Sequence, residues 1–187
     1  MPMHPRITEL AEYVDAQRAA LMAAADSVPV ERWTTAPAPG AWSVAELLEH
    51  LYKVEHSCAR VIAKTAAAAR EAGHPAEVAT SSKLDALDDR ALLDRSAKIV
   101  APERVAPTGT LSPAEARAAV ERSRAELHAA IAKADGMALE TVRATHARFG
   151  EIDLYQWILF VGQHEARHVQ QMTEIAHQLG ASPAARA

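Results

Sequence analysis

The chain has 187 residues with a formal net charge of −4, and 49% of its residues are hydrophobic while only 4% are aromatic. This length fits one domain, residues 1–187, and the shortage of aromatic residues favours helices and argues against a β-sandwich. Because acidic and basic residues are mixed without a basic stripe, we expect no nucleic-acid binding, and the single cysteine, Cys58, excludes an intrachain disulfide and a cysteine-based zinc site.

The N-terminal residues predict a helix and not a targeting segment. No basic region is followed by an unbroken apolar run, and no apolar stretch reaches the ~20 residues needed to cross a bilayer. With the single cysteine, this predicts a cytoplasmic protein without membrane contact. The first helix is expected to begin near Pro5 and to close at Val28–Pro29, because apolar residues recur at steps of three and four. Its predicted inward positions are Ile7, Leu10, Val14, Gln17, Leu21 and Ala24.

A second helix is predicted after a proline-rich loop. Ser43 is a suitable N-cap and Glu46 completes a capping box, while Trp42 and Leu47 occupy the two positions of a hydrophobic staple. The pattern runs to about Gly73, a residue type that commonly ends helices.

The apolar stripe of this second helix contains one histidine, His50, whereas His56 falls off the stripe toward its edge. The predicted inward positions are Leu47, His50, Leu51, Val54, Cys58, Val61 and Thr65. Cys58 has no evident charged neighbour to activate it, so we interpret it as a small apolar core residue and not as a nucleophile.

Residues 74–111 predict a long connection that contains one or two short helices. Leucines and aspartates are interspersed in its first half: Leu84, Asp85, Leu87, Asp88, Asp89, Leu92, Leu93 and Asp94. These aspartates lack the glycine-punctuated spacing of a calcium loop, which favours a solvated face over a cation site. Residues 101–109 then predict an extended loop, because prolines interrupt them.

The third helix is predicted to begin at Ser112 as N-cap, with Pro113 in the first helical position and Glu115 closing a capping box. It is expected to end at Asp135–Gly136. Its predicted inward positions are Ala116, Ala119, Val120, Ser123, Leu127, Ala130 and Ile131. The small residues on this face indicate close helix packing.

Residues 136–152 predict a crossing loop, after which Asp153 and Gln156 repeat the capping-box pattern. The last long helix is expected to end at Gly180. Its predicted inward positions are Leu154, Trp157, Val161, His164, His168, Met172, Ile175 and Leu179. The chain therefore predicts an all-α fold with four long helices, and two histidines occupy core positions of the last one.

The histidine spacing predicts a divalent metal site. His164 and His168 lie four residues apart, which places both imidazoles on one face of a helix. A third ligand must come from another helix, and His50 is the candidate because it also replaces an apolar residue in a core stripe. A histidine pair at this spacing also occurs by chance, but three buried histidines without a metal would each need a hydrogen-bond partner.

The segment from His164 to His168 also matches the pattern His-Glu-x-x-His, in which Glu165 would be the general base of a metal-dependent hydrolase. Two observations argue against this alternative. The sequence predicts no lobe with β-strands that could align a peptide substrate, and Glu165 falls beside the inward stripe that carries the two histidines and not on it. Glu46, one turn before His50, is either only a helix cap or a proton relay, and Glu165 is the other candidate for that relay. Trp42 leads into the helix of His50 and is a candidate wall of the binding pocket.

The remaining histidines are expected to face solvent or lie in loops. They are His4, His74, His128, His146 and His177.

The sequence resembles the DinB-like superfamily, in the branch that includes thiol-dependent transferases. The resemblance covers roughly residues 30–178 and rests on three segments: residues 36–50, which read APAPGAWSVAELLEH, the loop at residues 101–109, and residues 149–168. The Gly-Ala-Trp-Ser entrance to the helix of His50, together with the order of the three histidines, carries most of its specificity.

This resemblance implies a four-helix bundle with up-down-down-up connections, often a homodimer, in which His50, His164 and His168 bind the metal and leave a position open to water. Zinc or nickel would be the metal, with iron or copper as other options. The relatives imply a transferase that activates a low-molecular-weight thiol for attack on an electrophile, although no thiol-binding motif can be matched here. The alternative to an enzyme is a non-catalytic, metal-binding dimeric bundle that acts in a stress response.

Overall fold

The computed structural model describes residues 2–88, 90–96 and 100–179. Its five helices are α1 (Pro5–Asp26), α2 (Val44–Glu71), the short α3 (Arg90–Leu93), α4 (Pro113–Ala134) and α5 (Leu154–Gln178). The four long helices form a bundle in which α2 packs against α4 and α1 against α5, and α2 also contacts α5. This confirms the predicted four-helix bundle, while the up-down-down-up order stays a prediction. None of the helices in the described ranges is both long enough and apolar enough to span a membrane.

Three long helices begin where the capping boxes predict. Both hydrogen bonds of the box are present in each of the pairs Ser43 with Glu46, Ser112 with Glu115, and Asp153 with Gln156. Each box satisfies two backbone N–H donors that would otherwise stay unpaired at the start of the helix. The glycines after α2 and α4, Gly73 and Gly136, have φ angles of 72° and 78°, which only glycine adopts without strain. The predicted end at Gly180 lies outside the described residues.

Helix α5 is buried on more sides than the sequence predicts. Its predicted inward positions are largely buried, but Tyr155, Ile158, Leu159 and Phe160 are buried as well. The cause is that α1 packs on one side of α5 and α2 on another, while the long connection covers part of the rest. At Gly162 the approach of α1 is so close that an added Cβ would lie 2.5 Å from the Tyr13 ring.

The inward faces of the first two helices differ in detail from prediction. In the last turn of α1, Ala25 is buried, whereas Ala24, which is predicted to face inward, is only half-buried. In the last turns of α2 the fully buried positions are Ile62 and Ala66, whereas Val61 and Thr65 are half-buried. An α-helix has about 3.6 residues per turn, so a stripe counted in steps of three and four moves off the buried face over several turns.

The predicted crossing loop at residues 136–152 is wrong in part. It contains a 3-10 turn at Leu139–Thr141 and an antiparallel hairpin of β1 (Arg143–His146) and β2 (Gly150–Asp153). Each strand has only four residues, too few for an alternating pattern to be recognised in the sequence. The fold is therefore mostly helical with one small hairpin, and this hairpin leads directly into α5.

The long connection contains the predicted short helix and is held by polar side chains of α5. Gln156 donates to the carbonyl of Ala86 at 2.6 Å, and Arg167 donates to the carbonyl of Leu92 at 2.6 Å. The described aspartates of this segment are exposed, as predicted: Asp85, Asp88 and Asp94. Asp89 lies outside the described residues.

Candidate metal centre

The bundle brings His50 from α2 together with His164 and His168 from α5. The Nε2 atom of His164 lies 3.3 Å from Nε2 of His50 and 3.2 Å from Nε2 of His168. All three ligand atoms lie within 4.8 Å of one another. His50 and His168 are only 4% and 6% exposed, whereas His164 is half-buried and so opens the cluster toward solvent. We call these three residues the histidine cluster.

The outer nitrogens of two of these imidazoles are bonded to the protein. Nδ1 of His50 lies 2.9 Å from the carbonyl oxygen of Val105, and Nδ1 of His168 lies 2.9 Å from Oε1 of Gln171. Because a carbonyl oxygen can only accept, both Nδ1 atoms carry the proton, and both Nε2 atoms present a lone pair to the centre of the cluster. A proton on Nε2 of His164 could satisfy only one of these two lone pairs. At least one inward lone pair is therefore left without a hydrogen-bond donor from the cluster, and a cation could accept both.

Burial keeps all three imidazoles neutral. It lowers the pKa of His50, and more strongly that of His164, where the neighbouring histidines add to the effect. It also lowers the pKa of His168 to about 3. Neutral imidazole is the form that binds metal.

The spacing of the Nε2 atoms fits a divalent ion. Metal–nitrogen bonds of about 2.1 Å with angles between octahedral and tetrahedral values place two ligand nitrogens about 3.0 to 3.4 Å apart. Both Nε2 separations involving His164 fall in this range. The residues present therefore fit a three-histidine metal site.

The carbonyl that orients His50 belongs to a loop that Glu49 holds in place. The Glu49 carboxylate accepts from the backbone nitrogens of Thr108 at 3.0 Å and Gly109 at 3.2 Å, and it also pairs with Lys53 at 2.7 Å. Lys53 in turn donates to the carbonyl of Ala106 at 2.8 Å. Sequence reasoning missed this anchor, because a glutamate on a helix gives no sign that it binds a loop about 60 residues away.

Trp42 lies beside the histidine cluster. Its ring centroid is 4.9 Å from that of His50, and the Phe160 ring is 5.5 Å from that of His164. These two aromatic rings lie beside the cluster, and the role of Trp42 as a pocket wall stays a prediction.

Glu46 serves the helix terminus. Its Oε2 accepts from the backbone nitrogen of Ser43 at 2.8 Å, as the capping box requires. With Glu49 it also lines a cavity of about 240 Å³, and none of the three histidines lines that cavity. Among the described residues, the Glu46 carboxylate makes no hydrogen bond to the histidine cluster. The structure thus gives Glu46 a capping role.

Glu165, which was predicted beside the inward stripe, is buried on a second face of α5. It is 1% exposed, and its two carboxylate oxygens bond to Arg18 at 2.5 Å and to Arg124 at 2.7 Å. The same arginines also pair with Glu55, each at 2.8 Å. We call Arg18, Glu55, Arg124 and Glu165 the ion quartet, to which α1, α2, α4 and α5 each contribute one residue.

The ion quartet removes the basis for the hydrolase alternative. A general base needs a carboxylate that is free to accept a proton near the reacting water. Burial raises the pKa of Glu165, but the Arg18 and Arg124 guanidiniums counter that shift and occupy both oxygens. The His-Glu-x-x-His spacing is present here without the geometry that gives the motif its chemistry.

Four of the five remaining histidines are half-buried, although His4 and His74 lie outside the helices and strands, as predicted. Nε2 of His74 donates to the carbonyl of Ala138 at 2.9 Å, and Nε2 of His128 lies 3.0 Å from a carboxylate oxygen of Asp15. His4 caps α1, while His177 is exposed as expected. His146 is the largest departure, because its half-buried ring packs 4.4 Å from the ring of Phe160.

Cys58 is buried, which agrees with its interpretation as a core residue. Burial raises the pKa of its thiol to about 12. A thiol with such a pKa is protonated at neutral pH and is a poor nucleophile.

Comparisons with known proteins agree with this architecture. The family model of the DinB superfamily matches residues 13–172. The chain is 30% identical over 153 residues to the uncharacterized protein YuaE of Bacillus subtilis (strain 168), a match that covers 80% of this chain and 86% of YuaE. The crystal structure of TT2238, a four-helix bundle protein, superposes with a TM-score of 0.60 at 24% identity, covering 90% of this chain and 98% of TT2238. The last similarity concerns the fold alone.

Proposed function

Because this chain belongs to the DinB superfamily, we propose that it holds one divalent metal ion between His50, His164 and His168 and uses it to activate a low-molecular-weight thiol, or water, for attack on an electrophile. The observation that carries the proposal is the convergence of the Nε2 atoms at 3.2 and 3.3 Å around His164. Zinc or nickel is the metal that we expect, although imidazole also suits iron and copper.

The exposure of the site supports a catalytic role over a structural one. Structural zinc sites are closed by four protein ligands, whereas catalytic sites keep a position open. Among the described residues, the only group of three or more potential ligands contains just these three histidines, and His164 faces partly outward. A bound divalent ion would supply Lewis acidity, which lowers the pKa of a thiol or a water molecule in its open position.

The chain's own residues would orient that site. Val105 and Gln171 fix the rings of His50 and His168 through their Nδ1 atoms, so that the lone pairs stay directed inward. The rings of Trp42 and Phe160 flank the cluster and would exclude water from the apolar part of a substrate. A proton released from a thiol would reach solvent on the partly exposed side of His164.

Metal analysis of the purified protein tests the first half of the proposal. We expect about one equivalent of metal in the wild type and in His56→Ala, which removes a histidine of the same helix that pairs with Glu126 outside the cluster. His50→Ala should lose the metal while keeping its helical circular dichroism. Equal metal content in the wild type and His50→Ala would remove His50 from the site.

Turnover tests the second half. The metal-loaded protein would be assayed with a panel of thiols and electrophiles before and after treatment with a chelator, and restored by adding the metal back. Chelator-sensitive turnover that follows the metal content is the expected result. Metal binding without such turnover would favour the alternative, a non-catalytic metal-binding dimer.

Two expectations of the sequence stay predictions. The homodimer implied by the family resemblance can be measured by light scattering. The cytoplasmic location can be measured by fractionating cells that express the protein.

A further inference from the structure

Gln171 extends the stripe of α5 that carries two histidines of the cluster. It follows His164 by seven residues and His168 by three, and both spacings keep side chains on one face of a helix. Its side chain is half-buried, and its Oε1 lies 2.9 Å from Nδ1 of His168. Gln171 therefore contacts the histidine cluster from its outer side.

Both outer partners of the cluster are neutral. Val105 offers a backbone carbonyl to His50, and Gln171 offers a side-chain amide to His168. Histidines that bind metals often have a carboxylate in this outer position, which raises the basicity of the ring. Within the described ranges, no carboxylate is hydrogen-bonded to any ring of the cluster. The outer contacts of this site therefore add no negative charge.

The glutamates next to these contacts are paired with basic side chains. Glu49 on α2 is bonded to Lys53 at 2.7 Å. Glu174, one turn beyond Gln171 on α5, accepts from Nε of Arg95 at 3.0 Å. The glutamate that follows the first histidine of α5 belongs to the ion quartet. Because each of these carboxylates is balanced by a cation, they do not offset the charge of a bound metal ion.

A divalent ion held by three neutral imidazoles would therefore keep its full double charge. Such an ion is the largest local charge in its site, and it dominates the electrostatics of any group that enters its open position. A water molecule leaves the double charge unchanged, whereas a thiolate reduces it to a single charge. The neutral outer contacts thus favour an anionic ligand over a neutral one.

We propose that Gln171 is a positioning residue that holds His168 with a neutral oxygen and thereby makes the site select a thiolate over a neutral ligand. This inference rests on the proposed function, since it concerns the ligand that the same site accepts. A thiol would bind as its thiolate and release its proton to the solvent. A carboxylate in place of the amide would attract the Nδ1 proton more strongly, increase electron donation by the ring and place a negative charge near the ion.

Gln171→Glu tests the charge, because glutamate has nearly the same size and can accept the same hydrogen bond. The proteins are loaded with cobalt, whose absorption spectrum changes when a ligand enters its open position. Two probes are titrated at neutral pH: 2-mercaptoethanol, which binds as an anion, and imidazole, which binds as a neutral molecule. Gln171→Glu should bind the thiol about tenfold more weakly and imidazole within about twofold of the wild type.

Cobalt affinity gives a second measurement, which a merely structural role of Gln171 would not produce. Gln171→Glu should bind cobalt more tightly than the wild type. Gln171→Leu, which has no acceptor for Nδ1 of His168, should bind it about 10–100-fold more weakly. Competition with a metal-binding dye gives both affinities, and thermal unfolding of the metal-free proteins identifies any loss that comes from misfolding. Two affinities that change in the same direction would contradict the role of the amide.

Gln170→Glu is the matched control, because Gln170 is the preceding residue of α5 and is exposed. The same change of charge then occurs on the solvent side of the helix, where water and salt screen it. Its thiol affinity should stay within about twofold of the wild type. An equal loss of thiol affinity in Gln170→Glu and Gln171→Glu would show a general effect of charge and overturn the specific role of Gln171.

The outcomes separate this inference from the proposed function. Cobalt-loaded wild type and Gln171→Glu with the same preference between the two probes would overturn the inference alone, as would a parallel loss of both probes, which indicates a distorted site. Cobalt-loaded wild type that binds imidazole but no thiol would overturn the selectivity. Wild-type protein that binds no cobalt would contradict the proposed function, and the inference with it.

Discussion

Two buried polar clusters share this bundle, and they meet in sequence at His164 and Glu165. The ion quartet combines two guanidiniums with two carboxylates from four helices, at distances between 2.5 and 2.8 Å. The histidine cluster combines three neutral rings from two helices, with Nε2 atoms 3.2 and 3.3 Å apart. The first cluster balances its charges internally, whereas the second directs lone pairs toward a common point.

The difference between the clusters distinguishes a structural role from a binding role. Polar groups inside a protein are expensive unless each finds a partner, and the arginines and glutamates of the quartet are partners for one another. In the histidine cluster, His50 and His168 bond their outer nitrogens to the protein, but a proton on Nε2 of His164 can satisfy only one of their two inner lone pairs. We infer that the quartet fixes how the four helices align and that the histidine cluster is completed by a cation.

The largest expected effect is the loss of one quartet carboxylate. Glu165→Gln leaves the guanidiniums of Arg18 and Arg124 with one carboxylate partner, Glu55, in place of two. Breaking a buried ion pair in this way costs about 3–5 kcal/mol of unfolding free energy. Urea denaturation followed by circular dichroism measures the loss. Folded Glu165→Gln protein should bind metal with the same stoichiometry as the wild type.

Glu12→Gln is the control, because Glu12 is an exposed glutamate of α1. Its unfolding free energy should stay within about 0.5 kcal/mol of the wild type. If Glu165→Gln were as stable as this control but lost the metal, Glu165 would belong to the histidine cluster and the two roles would be reversed.

Substituting a histidine of the cluster should give the opposite result to Glu165→Gln, with weaker metal binding and unchanged or higher stability. His168→Leu removes one lone pair from the cluster, and we expect the metal affinity to fall by more than about a hundredfold, beyond the effect of losing an outer-shell partner. The metal-free variant should be as stable as the metal-free wild type or more stable, because an apolar side chain replaces a buried polar ring. Competition with a metal-binding dye gives the affinity, and urea denaturation with a chelator present gives the stability. A metal-free variant destabilised by several kcal/mol would show that His168 supports the fold in the way the quartet does.

An intermediate effect is expected at Glu49, which supports the histidine cluster through a loop. Glu49→Gln loses the charge that holds Lys53 and the backbone of Thr108, so the carbonyl of Val105 should orient His50 less firmly. Outer-shell substitutions weaken metal binding by about 10–100-fold, and we expect the lower end because Glu49 acts through the loop.

Glu103→Gln is the matched control, because Glu103 is exposed at the start of the 3-10 turn Glu103–Val105. Its metal affinity should equal that of the wild type. Cobalt substitution adds a spectroscopic measurement, since a less ordered His50 should alter the visible absorption of the bound cobalt in Glu49→Gln and not in the control. Unchanged affinity and spectrum would remove Glu49 from the support of the site.

These clusters also show what the sequence could and could not predict. Capping boxes are local, so Ser43, Ser112 and Asp153 predict their helix starts correctly, and the spacing of His164 and His168 is local as well. The partner of Glu165 is not local, because Arg18 lies 147 residues away, and an inward stripe defined by apolar residues assigns any glutamate to the outside.

The site shows the same limit. That His50 would meet the α5 histidines could be expected from its apolar stripe. The carbonyl of Val105 and the hairpin position of His146 could not, because a backbone oxygen has no sequence signature and strands of four residues show no period.

The smallest effect in this comparison concerns pH and the metal-free protein. The pKa of His168 is lowered from 6.5 to about 3 in the folded chain, so between these values the unfolded chain takes up a proton that the folded chain does not. Stability therefore falls as the pH drops below 6.5, by about 1.4 kcal/mol per pH unit for each such histidine. His168→Leu should flatten the slope by that amount. Met172→Leu, a buried substitution one turn further along α5, should change stability equally at every pH and keep the wild-type slope. Equal slopes in all three proteins would mean that His168 is not kept neutral by burial, and the incomplete cluster from which the metal site is inferred would lose its physical basis.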